Sequence, residues 1–198
     1  LSSDLKLVMG GRFEKISDYN QYIILNGGTT QQTVTKQSAK SSKIFTPRLS
    51  LVYALDENHI FKLLYSEASQ VRADFATLES IRTAEVTYLY SHTNINTSIN
   101  LFQNRLNNLL YITKDANFRD IPHNDGEQHN TGVEWIIQTN YLDSITSQLA
   151  LTYQDNKDFI HPDITIAYSP NFLAYFKTSY LFNEKDSVAL SANYVGKM

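Results

Sequence analysis

The chain has 198 residues, 42% of them hydrophobic, with a formal net charge of −3 and a mean hydropathy of −0.33. No stretch approaches the ~18 apolar residues that a transmembrane helix needs, and no Lys/Arg run marks a nucleic-acid patch, so no nucleic-acid partner is expected. The absence of Cys excludes disulfides and thiolate metal sites. Low hydropathy does not exclude a membrane β-barrel, because there only every second residue faces lipid.

Period-two alternation dominates the chain. In order, Leu5, Leu7, Met9, Gly11 and Phe13 share one parity, then Leu49, Leu51 and Tyr53, then Phe61, Leu63 and Tyr65. Val86, Tyr88 and Tyr90 follow, then Ile99 and Leu101, then Val133, Trp135 and Ile137. The last three sets are Leu149, Leu151 and Tyr153; Phe172, Ala174, Phe176, Tyr180 and Phe182; and Val188, Leu190, Ala192 and Tyr194. These are nine strands of roughly ten residues, about the length that crosses a bilayer at a tilt. The alternation places Leu49, Leu51, Val133, Trp135, Leu149 and Leu151 toward lipid. It places Arg48, Glu134, Gln148 and Thr152 toward the lumen.

Connections alternate strictly between short and long. The short ones are Asp56-Glu57-Asn58, His92-Thr93-Asn94, Tyr141-Leu142-Asp143 and Asn183-Glu184-Lys185-Asp186. Between them lie long ones at about 15–43, 67–81, 106–127 and 155–169. Tight periplasmic turns opposite long external loops are the habit of an outer-membrane barrel. With that orientation Tyr53, Phe61, Tyr88, Tyr90, Tyr141, Tyr180 and Phe182 fall near the periplasmic rim. Tyr65, Tyr153, Phe172 and Tyr194 fall near the external one, as interfacial aromatic belts do. The reading is all-β: an antiparallel up-and-down transmembrane β-barrel. Within 66–82, Val71, Phe75, Leu78 and Ile81 fall at helical spacing, which leaves a short helix or a shortened loop open there.

Asp120, His123, Asp125, Glu127 and His129 crowd the 106–127 connection and its continuation. Imidazole and carboxylate suit zinc, copper or nickel, but loops are polar by default, and a solvated loop is preferred over a metal site. Glu85, Glu134 and Arg48 lie on the polar side of their strands, either along a ligand path or as lumen ion pairs that tie the barrel to what fills it, the latter preferred. No nucleophile motif and no Gly-rich phosphate loop is present, so neither an enzyme nor a cofactor is expected.

Several segments resemble TonB-dependent outer-membrane receptors. Leu7-Val8-Met9-Gly10-Gly11-Arg12-Phe13 looks like that family's glycine-arginine-aromatic strand, and Thr46-Pro47-Arg48-Leu49-Ser50-Leu51-Val52-Tyr53 like its Pro-Arg strand. Ile60 to Tyr65, Ile81-Arg82-Thr83-Ala84-Glu85-Val86 and Thr131-Gly132-Val133-Glu134 are similar to strands that follow. Ser169-Pro170 and Tyr194-Val195-Gly196-Lys197 resemble its late-barrel pattern. The proline that usually precedes the Ile81-Arg82-Thr83 strand is absent, Leu78-Glu79-Ser80 standing there.

The resemblance implies that residues 1–198 are the C-terminal part of a barrel, nine strands of about 22, with the plug domain absent. It implies TonB-dependent uptake of a scarce nutrient such as a ferric siderophore, haem or cobalamin across the outer membrane of a Gram-negative bacterium. The implied partners are the TonB complex, acting through the missing N-terminal plug region, the lipid bilayer, and a small ligand such as a metal chelate. Family members hold ligand with external loops and the inner wall, which extends that role to Asn107, Asn108, Asp115, Arg119, Asp120, His123 and Asp125. A solvated hairpin cap, or a surface used by phage and bacteriocins, are the other readings of that loop. For the protein as a whole, the alternative is a small stand-alone porin or adhesin-type barrel.

Overall fold

The computed structural model describes residues 4–17, 19–26, 32–39, 42–71, 78–116, 118, 120–141, 144–160 and 169–197. Eleven strands are formed: β1 (Leu5–Ile16), β2 (Tyr19–Asn26), β3 (Gln32–Ala39), β4 (Ser42–Ala54), β5 (His59–Val71), β6 (Leu78–His92), β7 (Ile95–Lys114), β8 (Asp120–Tyr141), β9 (Ile145–Asp158), β10 (Phe172–Leu181) and β11 (Ser187–Val195). Nine of them make one sheet in the order β1-β4-β5-β6-β7-β8-β9-β10-β11, and β2 and β3 pair separately. All pairings are antiparallel. The nine strands read from alternation are the nine of the main sheet, and the described residues contain no helix.

Three expectations for the long connections are corrected. The 15–43 connection holds the β2–β3 hairpin, whose eight residue pairs run from Tyr19↔Ala39 to Asn26↔Gln32. The 106–127 connection is mostly strand, since β7 runs to Lys114 and β8 starts at Asp120. The helical spacing across 66–82 is not realised at either end, because Ser66–Val71 and Leu78–Arg82 pair as strands, while Phe75 lies outside the described residues. Backbone groups that leave the bilayer still need partners, and continuing the ladder supplies them without a helix.

The short turns are held locally. The Asp56 carboxylate accepts from the backbone N–H groups of Asn58 and His59, both at 2.8 Å. The Asn183 side-chain oxygen accepts from those of Lys185 and Asp186 at 2.9 and 3.0 Å. Both are Asx turns, which fix a tight reversal by mimicking a backbone turn.

Register carries the alternation across the whole sheet. Leu7, Leu51, Leu63, Val86, Leu101, Val133, Tyr153 and Phe172 are successive cross-strand partners in one unbroken apolar row. One residue away along the strands, on the opposite face, runs Lys6, Val52, Lys62, Thr87, Asn100, Glu134 and Thr152. That polar face is stitched by side chains: Thr83 donates to Asn104 and Thr87 to Asn100, each at 2.8 Å. Among the described residues Ile44 is the one buried hydrophobic side chain, whereas Leu7, Leu49, Leu63, Val86, Leu101 and Leu190 are exposed on the apolar face. A sheet with no interior and a continuous bare apolar face is built for a non-aqueous surrounding. The single Trp fits that setting, since the Trp135 indole N–H donates to Thr97 at 2.9 Å.

Candidate functional site

Beyond the apolar band β7 and β8 continue as a paired extension, and two irregularities shape it. Register runs regularly to Asn107↔Glu127, resumes at Leu109↔Gly126 and again at Tyr111↔His123. The first step leaves Asn108 as the extra residue, at φ 56°, a left-handed conformation that Asn tolerates better than most side chains. Its side chain donates to the Leu78 carbonyl at 2.9 Å, and the Leu110 N–H donates to the Glu79 carboxylate at 3.2 Å, so the bulge is tied to the start of β6. The second step sets Asn124 and Asp125 together opposite Leu110, one residue more on β8 than on β7. Gly126 sits where a Cβ would lie 2.8 Å from the Leu109 carbonyl oxygen, so only glycine allows this approach.

Leu109 shares a groove of about 310 Å³ with Ala68, Ile81 and Leu106 on the polar, inner face, and Tyr111, two residues on, keeps that face. The Tyr111 and His123 rings stack at 4.8 Å and 10°. His123 Nε2 lies 2.7 Å from the Thr113 hydroxyl. Burial, the hydrogen bond to Asp125 and the charges of Asp125 and Asp158 push the Tyr111 phenol above its usual range, so it stays a protonated donor. Asn124, which follows His123 in the chain, buries both polar atoms of its amide without a partner among the described residues, a condition that water or ligand relieves. At the tip, Phe118 is 83% exposed at φ 60°, its N–H donating to Asp115.

Of the sequence candidates, His123 and Asp125 converge on this shelf, now on a strand rather than a loop. Asp120 pairs with Lys114 through its backbone, and its side chain, like all of Arg119, lies outside the described residues. Glu127 and His129 point to the other face, where Glu127 meets Arg105 at 2.9 Å and His129 at 2.8 Å. The His129 hydrogen bond, with Arg105 adding to it, holds the Glu127 carboxyl below the usual carboxylate range. The carboxylate and imidazole groups therefore do not pool, and no group of three or more among the described residues is arranged to hold a metal ion. Tyr111, Thr113 and Asp158 escaped the sequence reading, the bulges having broken the parity that links them to His123. Gly126 between Asp125 and Glu127 was the available marker of a bulge. The stacked rings offer a flat polarizable surface, and the flanking carboxylates accept from hydroxyl or amine donors.

On the inner wall, Arg48, Glu85 and Glu134 form no ion pair among the described residues.

A one-sided apolar sheet with aromatic borders, short turns at one end and a polar shelf at the other defines an outer-membrane β-barrel. A family model described as TonB dependent receptor-like, beta-barrel, matches residues 1–198. The chain belongs to that family, whose members are transport receptors in the outer membrane of Gram-negative bacteria. Solved structures agree in fold. The ferric-catecholate import receptor Fiu from E. coli K12 superposes with TM-score 0.75 at 15% identity, over 98% of this chain and 32% of that one. The alcaligin outer-membrane receptor FauA from Bordetella pertussis gives 0.72 at 17%, over 100% and 35%. The ferripyoverdine receptor of Pseudomonas aeruginosa, bound to ferripyoverdine, gives 0.73 at 16%, over 99% and 27%. The chain thus spans about a third of the length of these receptors. A comparison with curated protein sequences returned no match.

Proposed function

We propose that the protein of which these residues form the barrel segment imports a scarce nutrient carried as a metal chelate, a ferric siderophore before haem or cobalamin. Energy comes from the TonB complex through an N-terminal plug. The reading is supported by the family match over 1–198, which displaces the small porin or adhesin alternative. Its ligand preference follows the printed names of the structural relatives reported above, which are those of receptors for ferric-catecholate, alcaligin and ferripyoverdine. The observation that carries the local assignment is the stacked Tyr111–His123 pair with Asp125 on the inner face. Arg119 and Asp120, next to it in sequence, complete the proposed contact region. Arg48, Glu85 and Glu134 on the inner wall are the proposed contacts for the plug.

The test uses the intact receptor in a strain lacking other iron receptors, supplied with radiolabelled ferric catecholates, ferric hydroxamates, haem and cobalamin. One of these is expected to enter only when TonB is present. Combining Tyr111→Ala, His123→Ala and Asp125→Asn should then cut its uptake at least tenfold, with folded barrel unchanged. No TonB-dependent uptake of any of the four rejects the transport reading. Undiminished uptake by the assembled triple variant rejects the shelf.

A further inference from the structure

The two faces of the wall sort their charges differently. A row of register partners, Ser66, Thr83, Asn104, Asn130 and Asn156, crosses β5 to β9 on the inner face. Beyond it the outer face carries cations matched to carboxylates: Arg82–Glu67 at 3.5 Å, Arg105–Glu127 at 2.9 Å and Lys157–Asp155 at 2.9 Å. Lys114 keeps the outer face too, since its neighbour Thr113 bonds His123 on the inner one. The inner face beyond the row holds Glu79, the partner of Gln70, and Asp158, the partner of Gln128, with Asp125 against Tyr111. Among the described residues of β5–β9 it holds no Lys or Arg there.

The same face changes character along β7, where Asn104 is followed on it by Leu106, Leu109 and Tyr111. Leu106 and Leu109 join Ala68 and Ile81 as the aliphatic floor of the groove of about 310 Å³. Water solvates such a floor poorly, so an apolar cover stabilises it. Ligand pockets run to about 300–1,000 Å³, so this groove takes one limb of a chelate rather than the whole. Two residues on from Leu109, about 7 Å along the strand, that limb meets the Tyr111 ring and the Asp125 carboxylate. A carboxylate beside an aromatic face recognises an ammonium group, and carboxylates gathered on one face turn an anion away. A ferric ion held by three catecholates is a trianion, and haem brings carboxylates of its own. A ferric ion held by three hydroxamates is neutral, and linear hydroxamates built on diamines have methylene linkers and an ammonium end.

We propose that this site takes a linear ferric trihydroxamate. Its methylene linker lies on Ala68, Ile81, Leu106 and Leu109, and its ammonium end on the Tyr111 ring and Asp125. The assignment rests on the transport reading above and names the substrate class of that same site.

The intact receptor, purified in detergent, is titrated with three radiolabelled ferric complexes: that of desferrioxamine B, that of its N-acetylated form, which lacks the ammonium, and that of enterobactin, a tris-catecholate. Wild type should hold the ammonium form about tenfold tighter than the acetylated one, the weight of one charge-assisted contact, and the catecholate more weakly than either. Asp125→Asn should remove the difference between the two hydroxamates by weakening the ammonium form alone. Ile81→Asn combined with Leu106→Asn should weaken both hydroxamates alike, about tenfold. Asn already stands on this face at Asn104 and Asn130, so the pair should assemble. Glu67→Gln, on the outer face, should change nothing, and every variant is checked for heat-modifiable mobility. If the floor pair fails to assemble, Leu106→Ala alone should weaken both hydroxamates about threefold. Equal affinity of wild type for the two hydroxamates, a catecholate held as tightly, floor variants without effect, or binding of no probe would each overturn the assignment. TonB-dependent uptake of a catecholate, haem or cobalamin in place of a hydroxamate would overturn it too, whereas the transport reading falls only if none of the four cargoes enters.

Discussion

Individual side chains on this sheet answer to one question, which solvent they face. Leu151 and Thr152 are neighbours on β9, yet Leu151 pairs with Trp135 and Ala174 on the apolar face, and Thr152 with Glu134 and Leu173 on the other. An Arg at the lipid midplane costs roughly 2–4 kcal/mol. Leu151→Arg should therefore sharply reduce folded barrel in membranes while Thr152→Arg leaves most of it, and equal yields would show the facing to be wrong. Gly132 is limited by sterics instead. A Cβ there would lie 2.5 Å from both the Phe102 ring and the Tyr153 carbonyl oxygen, and the carbonyl belongs to a ladder that cannot retreat. Gly132→Ala should lower the yield of assembled barrel more than Gly10→Ala, whose Cβ would meet nothing within 4 Å. Glu127 gives a pH signature. Its pairing holds the folded carboxyl below the ordinary range, so its contribution is complete above that range and is lost as pH falls through the depressed value. Hydrogen exchange in the β7–β8 extension should be faster in Glu127→Gln near neutral pH, and the difference should vanish in strong acid.

Elements divide into those the sequence announces and those it conceals. The nine strands of the main sheet were legible because lipid on one face and water on the other force hydrophobic and polar residues to alternate, as in Val133-Glu134-Trp135. β2 and β3 carry no such alternation: Tyr22-Ile23-Ile24-Leu25 is a continuous apolar run and Thr33-Val34-Thr35-Lys36 is mostly polar. The ends of β7 and β8 were hidden for a related reason. Past Arg105 and His129 no lipid remains to exclude polar residues from either face, and the extra residue at Asn108 and the two-for-one step at Asn124-Asp125 each shift parity once. The candidate site was half legible on the same grounds. Composition drew attention to His123 and Asp125, but cross-strand adjacency to Tyr111 depends on a register that no spacing rule counts through two bulges. Because the extension is a ladder, cutting one strand alone would leave the other unpaired. Removing 110–125 as a unit, which joins Leu109 to its partner Gly126, should preserve the amount of membrane-assembled barrel and abolish ligand uptake. Full uptake by that shortened receptor would separate the extension from transport.

At the scale of the whole molecule the nine-stranded sheet has β1 and β11 at its borders, each paired on one side among the described residues. Unpaired backbone groups facing lipid cost several kcal/mol each. Residues 1–198 expressed alone should therefore fail to refold into a heat-modifiable monomer in detergent. In the receptor these two borders are the proposed junctions with the rest of the barrel.

The strands are also unequal, with 22 residues in β8 against 10 in β10. At about 3.3 Å per residue and a tilt near 45°, that is a rise of about 50 Å against about 23 Å. Since the hydrocarbon core is about 30 Å thick, the β7–β8 pair reaches well beyond it, with the exposed ring of Phe118 at its tip. An antibody or protease in the medium can reach that parapet. The cell thus displays to its surroundings the same hairpin whose inner side carries the shelf, and pressure to vary the one acts on residues adjoining the other.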